Sequence, residues 1–189
     1  MEVLKAIKNR RTIRLFKQKE IPKKIFQSCI DCAHLAPSSR NLQPLEYILV
    51  NDKNIREKIF DTLDWGGKLP EEKPDKNHKP TVYVIVISNK KINKKSGIDT
   101  GLAVANLVIS AFSKGLGSCI LGAINRNKIR SILKVPKNFE IKLVIALGFP
   151  AEKPKVEVAK KSVKYWRDKK GILHVPKRGL KKITHFNKF

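Results

Sequence analysis

With 189 residues, 41% of them hydrophobic and 30% charged, the chain is long enough for one domain with a core and lacks the composition of a disordered protein. Its 41 basic residues outnumber 16 acidic ones, and the net charge of +25 attracts any polyanion over a range set by ionic strength. No run reaches the ~18 consecutive apolar residues of a membrane span, and the first residues carry no secretory signature, so a cytoplasmic protein without membrane contact is expected.

In chain order, Val3, Leu4 and Ile7 suggest a short amphipathic helix that stops near the basic run Arg10-Arg11-Thr12-Ile13-Arg14. Pro22 stands where a first helical turn accepts proline, and Ile25, Phe26, Cys29, Ile30 and Ala33 follow at helical spacing until Pro37 ends the pattern. A polar loop from Ser38 to Pro44 leads into a strand at Tyr47–Val50, and Ile55, Ile59 and Leu63 mark another helix. From Asp64 to Pro80 glycines, prolines and charges predict a long loop. Val82 to Ile87 reads as a strand buried on both faces. Ile98 to Phe112 is the most apolar helix and is expected to be central, with Gly115 and Gly117 ending it. A short apolar run, Cys119 to Leu121, precedes a helix through Ile129, Ile132 and Leu133, and Ile141 to Leu147 is a last core strand closed by Gly148 and Pro150. The final 39 residues hold 13 basic and 3 acidic groups, with Trp166, Ile172, Leu173, Val175 and Ile183 among them, which predicts an extended arm with hydrophobic anchors. The pattern is α+β, with strands too irregularly spaced for a doubly wound sheet.

Common catalytic signatures are absent: there is no zinc-protease motif, nucleophile elbow, phosphate loop or dinucleotide fingerprint. Gly115-Leu116-Gly117 stands at the wrong end of a helix to cradle a phosphate. Cys29 and Cys32 form a C-x-x-C inside a helical pattern, where a reactive thiolate gains nothing from a helix start, and no second pair offers a zinc site. His34, His78, His174 and His185 lack ligand spacing, so no metal is expected. The 32 lysines and 9 arginines are scattered, with no helix-turn-helix, zinc-finger or RNA-binding signature, so no specific nucleic-acid partner is expected. If the chain is an enzyme, a cofactor carries the chemistry.

Several segments in order are informative together. Arg10, Arg11 and Arg14 with Thr12 offer guanidinium forks and a hydroxyl suited to phosphate, and Phe16 closes that run. Ala36-Pro37-Ser38-Ser39-Arg40-Asn41-Leu42-Gln43-Pro44, Gly115-Leu116-Gly117-Ser118-Cys119-Ile120-Leu121-Gly122, Ile145-Ala146-Leu147-Gly148-Phe149-Pro150-Ala151-Glu152 and Val175-Pro176-Lys177-Arg178 follow. Together they resemble, over residues 1 to about 185, the basic start, A-P-S-x-x-N-x-Q-P loop, G-L-G-x-C-x-x-G segment, L-G-Y-P-A-E turn and basic C-terminus of the nitroreductase family. Leu45 departs from the pattern, where the family often has tryptophan, and residues 64–80 carry no recognisable substrate signature.

The resemblance implies a single FMN-binding domain over 1–189, with a central, mostly antiparallel sheet wrapped by helices. It also implies a homodimer that exchanges terminal arms, residues 151–189 packing on the partner. Arg10, Thr12 and Arg178 would hold the FMN phosphate, with Arg11 and Lys177 as further candidates, and Arg14 would reach the pyrimidine edge of the ring. Ser38, Ser39 and Asn41 would serve the neighbouring subunit's site, and Leu121 and Gly122 would pass close to the ring, where glycine lets backbone approach. The implied activity is hydride transfer from NADH or NADPH through FMN to a small-molecule acceptor such as a nitroaromatic or quinone, with no side chain assigned as acid. Reductive dehalogenation or flavin cleavage on the same fold, or a basic nucleic-acid-binding protein, are the alternatives.

Overall fold

In the computed structural model, which describes residues 2–65 and 73–189, the chain runs through α1 (Val3–Asn9), β1 (Phe16–Lys17), α2 (Lys23–His34), β2 (Leu45–Val50), α3 (Lys53–Phe60), β3 (Val82–Asn89), α4 (Gly97–Ser113), β4 (Gly117–Leu121), α5 (Arg126–Leu133) and β5 (Phe139–Pro150), then β6 (Lys155–Val158), β7 (Trp166–Arg167) and β8 (Leu173–Lys177). It divides into a larger unit that ends at Ala151 and a smaller one, Glu152–Phe189.

The sheet of the larger unit is antiparallel at every strand pair, in the order β1-β5-β3-β2, with β4 also paired to β5. β5 is long enough, at 12 residues, to hold β3 along one edge and β4 followed by β1 along the other. Alternation along β3 sends Tyr83, Ile85 and Ile87 to one face and Val82, Val84 and Val86 to the other, and both sets are buried, as a continuous β-branched run requires. A register shift between Val86 and Ile87, opposite Leu143 and Ile141, keeps the alternation of β5 matched to the two cores.

One core lies under α3 and α5. Asp52 accepts the Ile55 N–H at 2.9 Å and Asn125 accepts the Lys128 N–H at 3.0 Å, so both helices begin on a side-chain cap, and Ile59, Phe60 and Ile129 are their buried residues. The other core lies under α2 and α4, where Phe26, Cys29 and Ala33 meet Ala103, Val104, Leu107, Val108 and Ala111. α2 starts one residue after Pro22. Burial raises the pKa of the Cys29 thiol, whose Sγ donates to the Ile25 carbonyl, so this cysteine acts as a packing residue.

Of the expected loop 64–80, residues 66–72 lie outside the described residues, Gly66, Gly67 and Pro70 with them. Its end is tied to β1 and the residue after it: Phe16 N–H donates to the His78 carbonyl at 3.0 Å and Gln18 Nε2 to that of Lys79 at 2.8 Å.

Where an extended arm was expected, the smaller unit builds a sheet of its own, β6-β8-β7, parallel between β6 and β8 and antiparallel between β7 and β8. All three of its acidic residues are used inside it. Glu152 pairs with Arg167 at 2.9 Å, and Glu157 and Asp168 take the two ring nitrogens of His174 at 3.0 and 3.2 Å.

Candidate functional site

The basic run leaves α1 and lies along the sheet's far edge. Thr12 bridges Ser118 of β4, Ile13 N–H donates to the Ser118 carbonyl at 2.9 Å, and Phe16 pairs with Pro150. Two glycines make this approach possible: a Cβ on Gly117 would meet Ile13 carbons at 2.8 Å, and one on Gly148 would meet Phe16 Cδ1 at 2.6 Å. The glycines of two of the segments singled out in the sequence therefore seat a third. Ile13 and Phe16 are sunk into the core, and Arg10, Thr12 and Arg14 beside them stay half-buried.

The three arginines have different surroundings. Arg11 turns back on its own helix, its guanidinium donating to the carbonyls of Arg10 and Lys8 at the end of α1. Arg14 donates from Nε to the carbonyl of buried Trp65 at 3.2 Å. Arg10 has no carboxylate partner among the described residues. Burial, and then the neighbouring Arg11 charge, pull its pKa below the ordinary guanidinium value. A half-buried cation without an anion is held at a cost unless a ligand supplies one.

Arg10 lines a groove of about 430 Å3 with Thr100, Gly101, Ala105, Ile109 and Ile120, a size typical of small-molecule sites. α4 carries no charge from Thr100 to Ser113, and only part of it is covered: Ile98 is 80% exposed and Leu102 41%. The helix expected to be central is therefore central on one side and forms a groove wall on the other. A Cβ on Gly97 or Gly101 would meet nothing within 4 Å. Thr100, Gly101 and Ala105 were not among the residues singled out in the sequence. A glycine inside an apolar helix, costing about 1 kcal/mol against alanine, was the signal that could have found them.

β4 ends at the same groove. Its Cys119 and Leu121 side chains enter the core, while Ile120 between them is exposed to the groove. Leu121 therefore offers only backbone to a ligand. Gly122 continues on the side of Ile120, a Cβ there would meet nothing within 4 Å, and its carbonyl accepts from Arg126 Nη2 at 3.2 Å.

Ser38, Ser39 and Asn41 stand apart from that groove, between α2 and β2. A 3-10 turn spans Ser39–Asn41, and Arg40, Asn41 and Gln43 all take positive φ, near +50°. Left-handed non-glycine residues cost on the order of 1 kcal/mol each, so three in four positions mark a constrained loop. Lys177 lies in β8 and Arg178 just after it, in the smaller unit, where Arg178 Nη2 donates to the Lys182 carbonyl at 3.1 Å.

One family model, that of the nitroreductase family, matches residues 7–149. The chain belongs to the nitroreductase family. A Methanothermobacter thermautotrophicus protein, whose name, NADH dehydrogenase/NAD(P)H nitroreductase, is provisional, is 30% identical over 161 residues, 82% of this chain and 80% of that one. An iodotyrosine deiodinase of Thermotoga neapolitana is 24% identical over 165 residues, 78% and 89% of the two chains. Among solved structures, an FMN-dependent nitroreductase of Clostridium difficile superposes with a TM-score of 0.73 at 26% identity, covering 98% of this chain and 99% of its own. Membership sets the chain among oxidoreductases and agrees with the α+β fold described above. Among the described residues no helix is long and apolar enough to cross a membrane.

Proposed function

We propose that this nitroreductase-family chain is an FMN-dependent oxidoreductase that works with NADH or NADPH and reduces a small acceptor such as a nitroaromatic or a quinone. The observation that carries the reading is Arg10: a half-buried guanidinium without a carboxylate partner among the described residues, on the wall of a groove otherwise lined by apolar and small residues. A ligand with a flat apolar body and an anionic end matches both halves of that description, and the open positions at Gly97 and Gly101 leave room for it. The residues present fit FMN.

Arg10 and Thr12 would take the phosphate, Arg10 by charge-assisted hydrogen bonds and Thr12 by its hydroxyl. Arg14 would stand at the pyrimidine edge, where a fixed cation favours the reduced cofactor. The backbone of Leu121 and Gly122 would line one face, and Ser38, Ser39 and Asn41 would complete the site of a second copy. The part expected of Lys177 and Arg178 rests on the family resemblance alone. When bound, FMN supplies two-electron exchange with a nicotinamide and with the acceptor. Arg10 and Arg14 orient, Ile109 and Ile120 exclude water, and protons come from solvent.

The working unit in this reading is a homodimer. Its support is the uncovered stretch of α4, which carries no charged residue from Thr100 to Ser113 and exposes Leu102. The deiodinase relative favours a second reading, reductive dehalogenation in the same groove.

Equilibrium titration tests the cofactor. One FMN per chain should bind and quench, and Arg10→Ala should weaken it by roughly 10- to 150-fold, the loss of a charged hydrogen bond worth about 1.5 to 3 kcal/mol. No binding by the wild type sinks the proposal. Turnover with both nicotinamides against nitroaromatics, quinones and halotyrosines then separates the two readings.

A further inference from the structure

The strained loop at Ser38–Gln43 is bonded almost entirely to itself. Asn41 N–H donates to the Ser38 carbonyl, Leu42 N–H to that of Ser39, Gln43 N–H to Ser38 Oγ, and the Gln43 amide to both the carbonyl and Oδ1 of Asn41. Among the described residues, one hydrogen bond ties positions 38–43 to the rest of the chain: Ser39 N–H to Asp99 Oδ1, at 3.1 Å.

Asp99 is 3% exposed and sits in the first turn of α4. It is the one charged residue of that helix, and no cation pairs with it among the described residues. A carboxylate there gains from the helix dipole and could have capped its own helix start. It does not: Oδ1 reaches sideways to the loop and Oδ2 accepts from Asn93 Nδ2 at 3.4 Å, while the helix's N-cap residue, Ser96, donates its hydroxyl to Ser88 Oγ at 2.7 Å. The acceptor is thereby fixed to the end of β3 and the start of α4, two of the best-buried elements of the fold. Within the loop, the Ser39 hydroxyl and the Asn41 Nδ2 have no partner among the described residues, and both residues are exposed.

We infer that Asp99 is a positioning residue. Its carboxylate clamps the Ser39 amide, keeps the left-handed turn at 40–43 in place, and so presents the Ser39 hydroxyl and the Asn41 amide to the flavin of a second copy of the chain. The flavin half of this inference rests on the function proposed above. The clamp itself rests on the geometry of this chain.

Amide exchange in the full FMN-free chain tests the clamp without the cofactor. Asp99→Ala should speed exchange at 39–43 at least ten-fold while β3 and β5 stay protected, and Asp99→Asn, which keeps an acceptor oxygen, should restore most of the protection. Exchange at 39–43 that is the same in Asp99→Ala and wild type overturns the clamp. For the flavin, Asp99→Ala should raise the dissociation constant about ten-fold and leave the reduction potential of bound flavin unchanged, a split that general destabilisation does not produce. A loosened loop with unchanged affinity overturns the positioning role. Should Asp99→Ala not fold, Ser39→Pro and Ser39→Ala replace it: both lack the hydroxyl, but only the proline lacks the N–H, and the extended Ser38 tolerates a following proline. Ser39→Pro should then bind FMN at least ten-fold more weakly than Ser39→Ala, and equal affinities overturn the inference. A wild-type chain that binds no FMN overturns the proposed function and the flavin half together, while the exchange result still decides the clamp.

Discussion

Glycine serves two opposite purposes around the groove. At Gly148 the missing Cβ makes room for Phe16, which is fully buried and pressed to 2.6 Å of where that atom would be. At Gly122 the missing Cβ leaves open space. Alanine tells the two apart. Gly148→Ala overpacks a site whose neighbour has nowhere to go, and should cost roughly 1 to 3 kcal/mol of stability. Gly122→Ala meets nothing in the free chain, so its denaturation midpoint should stay within about 0.5 kcal/mol of wild type, while its affinity for FMN falls. Urea unfolding of the three FMN-free chains, followed by FMN titration, checks both. Equal destabilisation by the two alanines, or a Gly122→Ala chain that binds as wild type does, would refute the division. The same contrast applies to the arginines: Arg11 and Arg10 are adjacent in sequence, yet one completes a helix end and the other lines the groove.

Elements with a strong period were legible in the sequence. The two-sided run in β3, the 3- and 4-residue spacing of α2, and the apolar positions Ile55, Ile59, Ile129, Ile132 and Leu133 of α3 and α5 correspond to the elements found, because each buries its side chains against a neighbour next to it in the fold. β1 was not legible: two residues make no period, and what orders them is the close approach over Gly148. The uncovered wall of α4 was hidden for a different reason, since an apolar helix reads the same whether a sheet or a second molecule covers it. Of the candidate site, the arginines and the loop were marked by residue type, whereas Asp99, Thr100 and Ile120 depend on which face turns outward. β6, β7 and β8 were masked by their charge, and one histidine organises them. His174 stacks on Trp166 with 4.1 Å between ring centres and bridges Glu157 and Asp168. Hydrogen bonds to Glu157 and then Asp168 raise its pKa above 6.5. The carboxylates move down, Glu157 chiefly through Trp166 and His174, Asp168 chiefly through the Ile172 N–H and His174. Stability from a raised histidine is complete below its unfolded pKa and is lost as pH rises through the folded value. For the lowered carboxylates it is complete above their unfolded pKa and is lost as pH falls through the folded values. The small sheet should be firmest between about pH 4.5 and 6.5. A nuclear magnetic resonance titration of the His174 ring should give a midpoint above 6.5, and a midpoint at or below that value contradicts the bridge.

At the scale of the whole molecule, charge and the uncovered helix pull in opposite directions. The smaller unit carries 13 basic and 3 acidic residues, leaving 28 and 13 in the larger, so both are cationic and two copies repel. Surface without charge is the least opposed by this repulsion, and α4 provides it with exposed Ile98 and Leu102. Sedimentation should show a dimer at micromolar concentration that tightens as salt screens the repulsion, and Leu102→Glu should dissociate it. A wild-type monomer that binds FMN contradicts this. Anionic partners respond to salt with the opposite sign. FMN and nicotinamide nucleotides carry phosphate, so a positive field speeds their encounter and fades as salt rises. Nucleic acid also adheres to such a surface at low salt, so binding there says little about function. The informative measurement is at ~150 mM salt, where nonspecific protein–DNA dissociation constants are on the order of 1 to 100 μM. Titrated there with duplex and single-stranded oligonucleotides, the chain should bind in that range or more weakly. It should show no sequence preference and no change in its rate of reduction by nicotinamide. A basic surface that serves small anions has no reason to discriminate among bases. Nanomolar affinity at that salt, or a preference for one sequence, would therefore assign the +25 charge to a nucleic-acid partner.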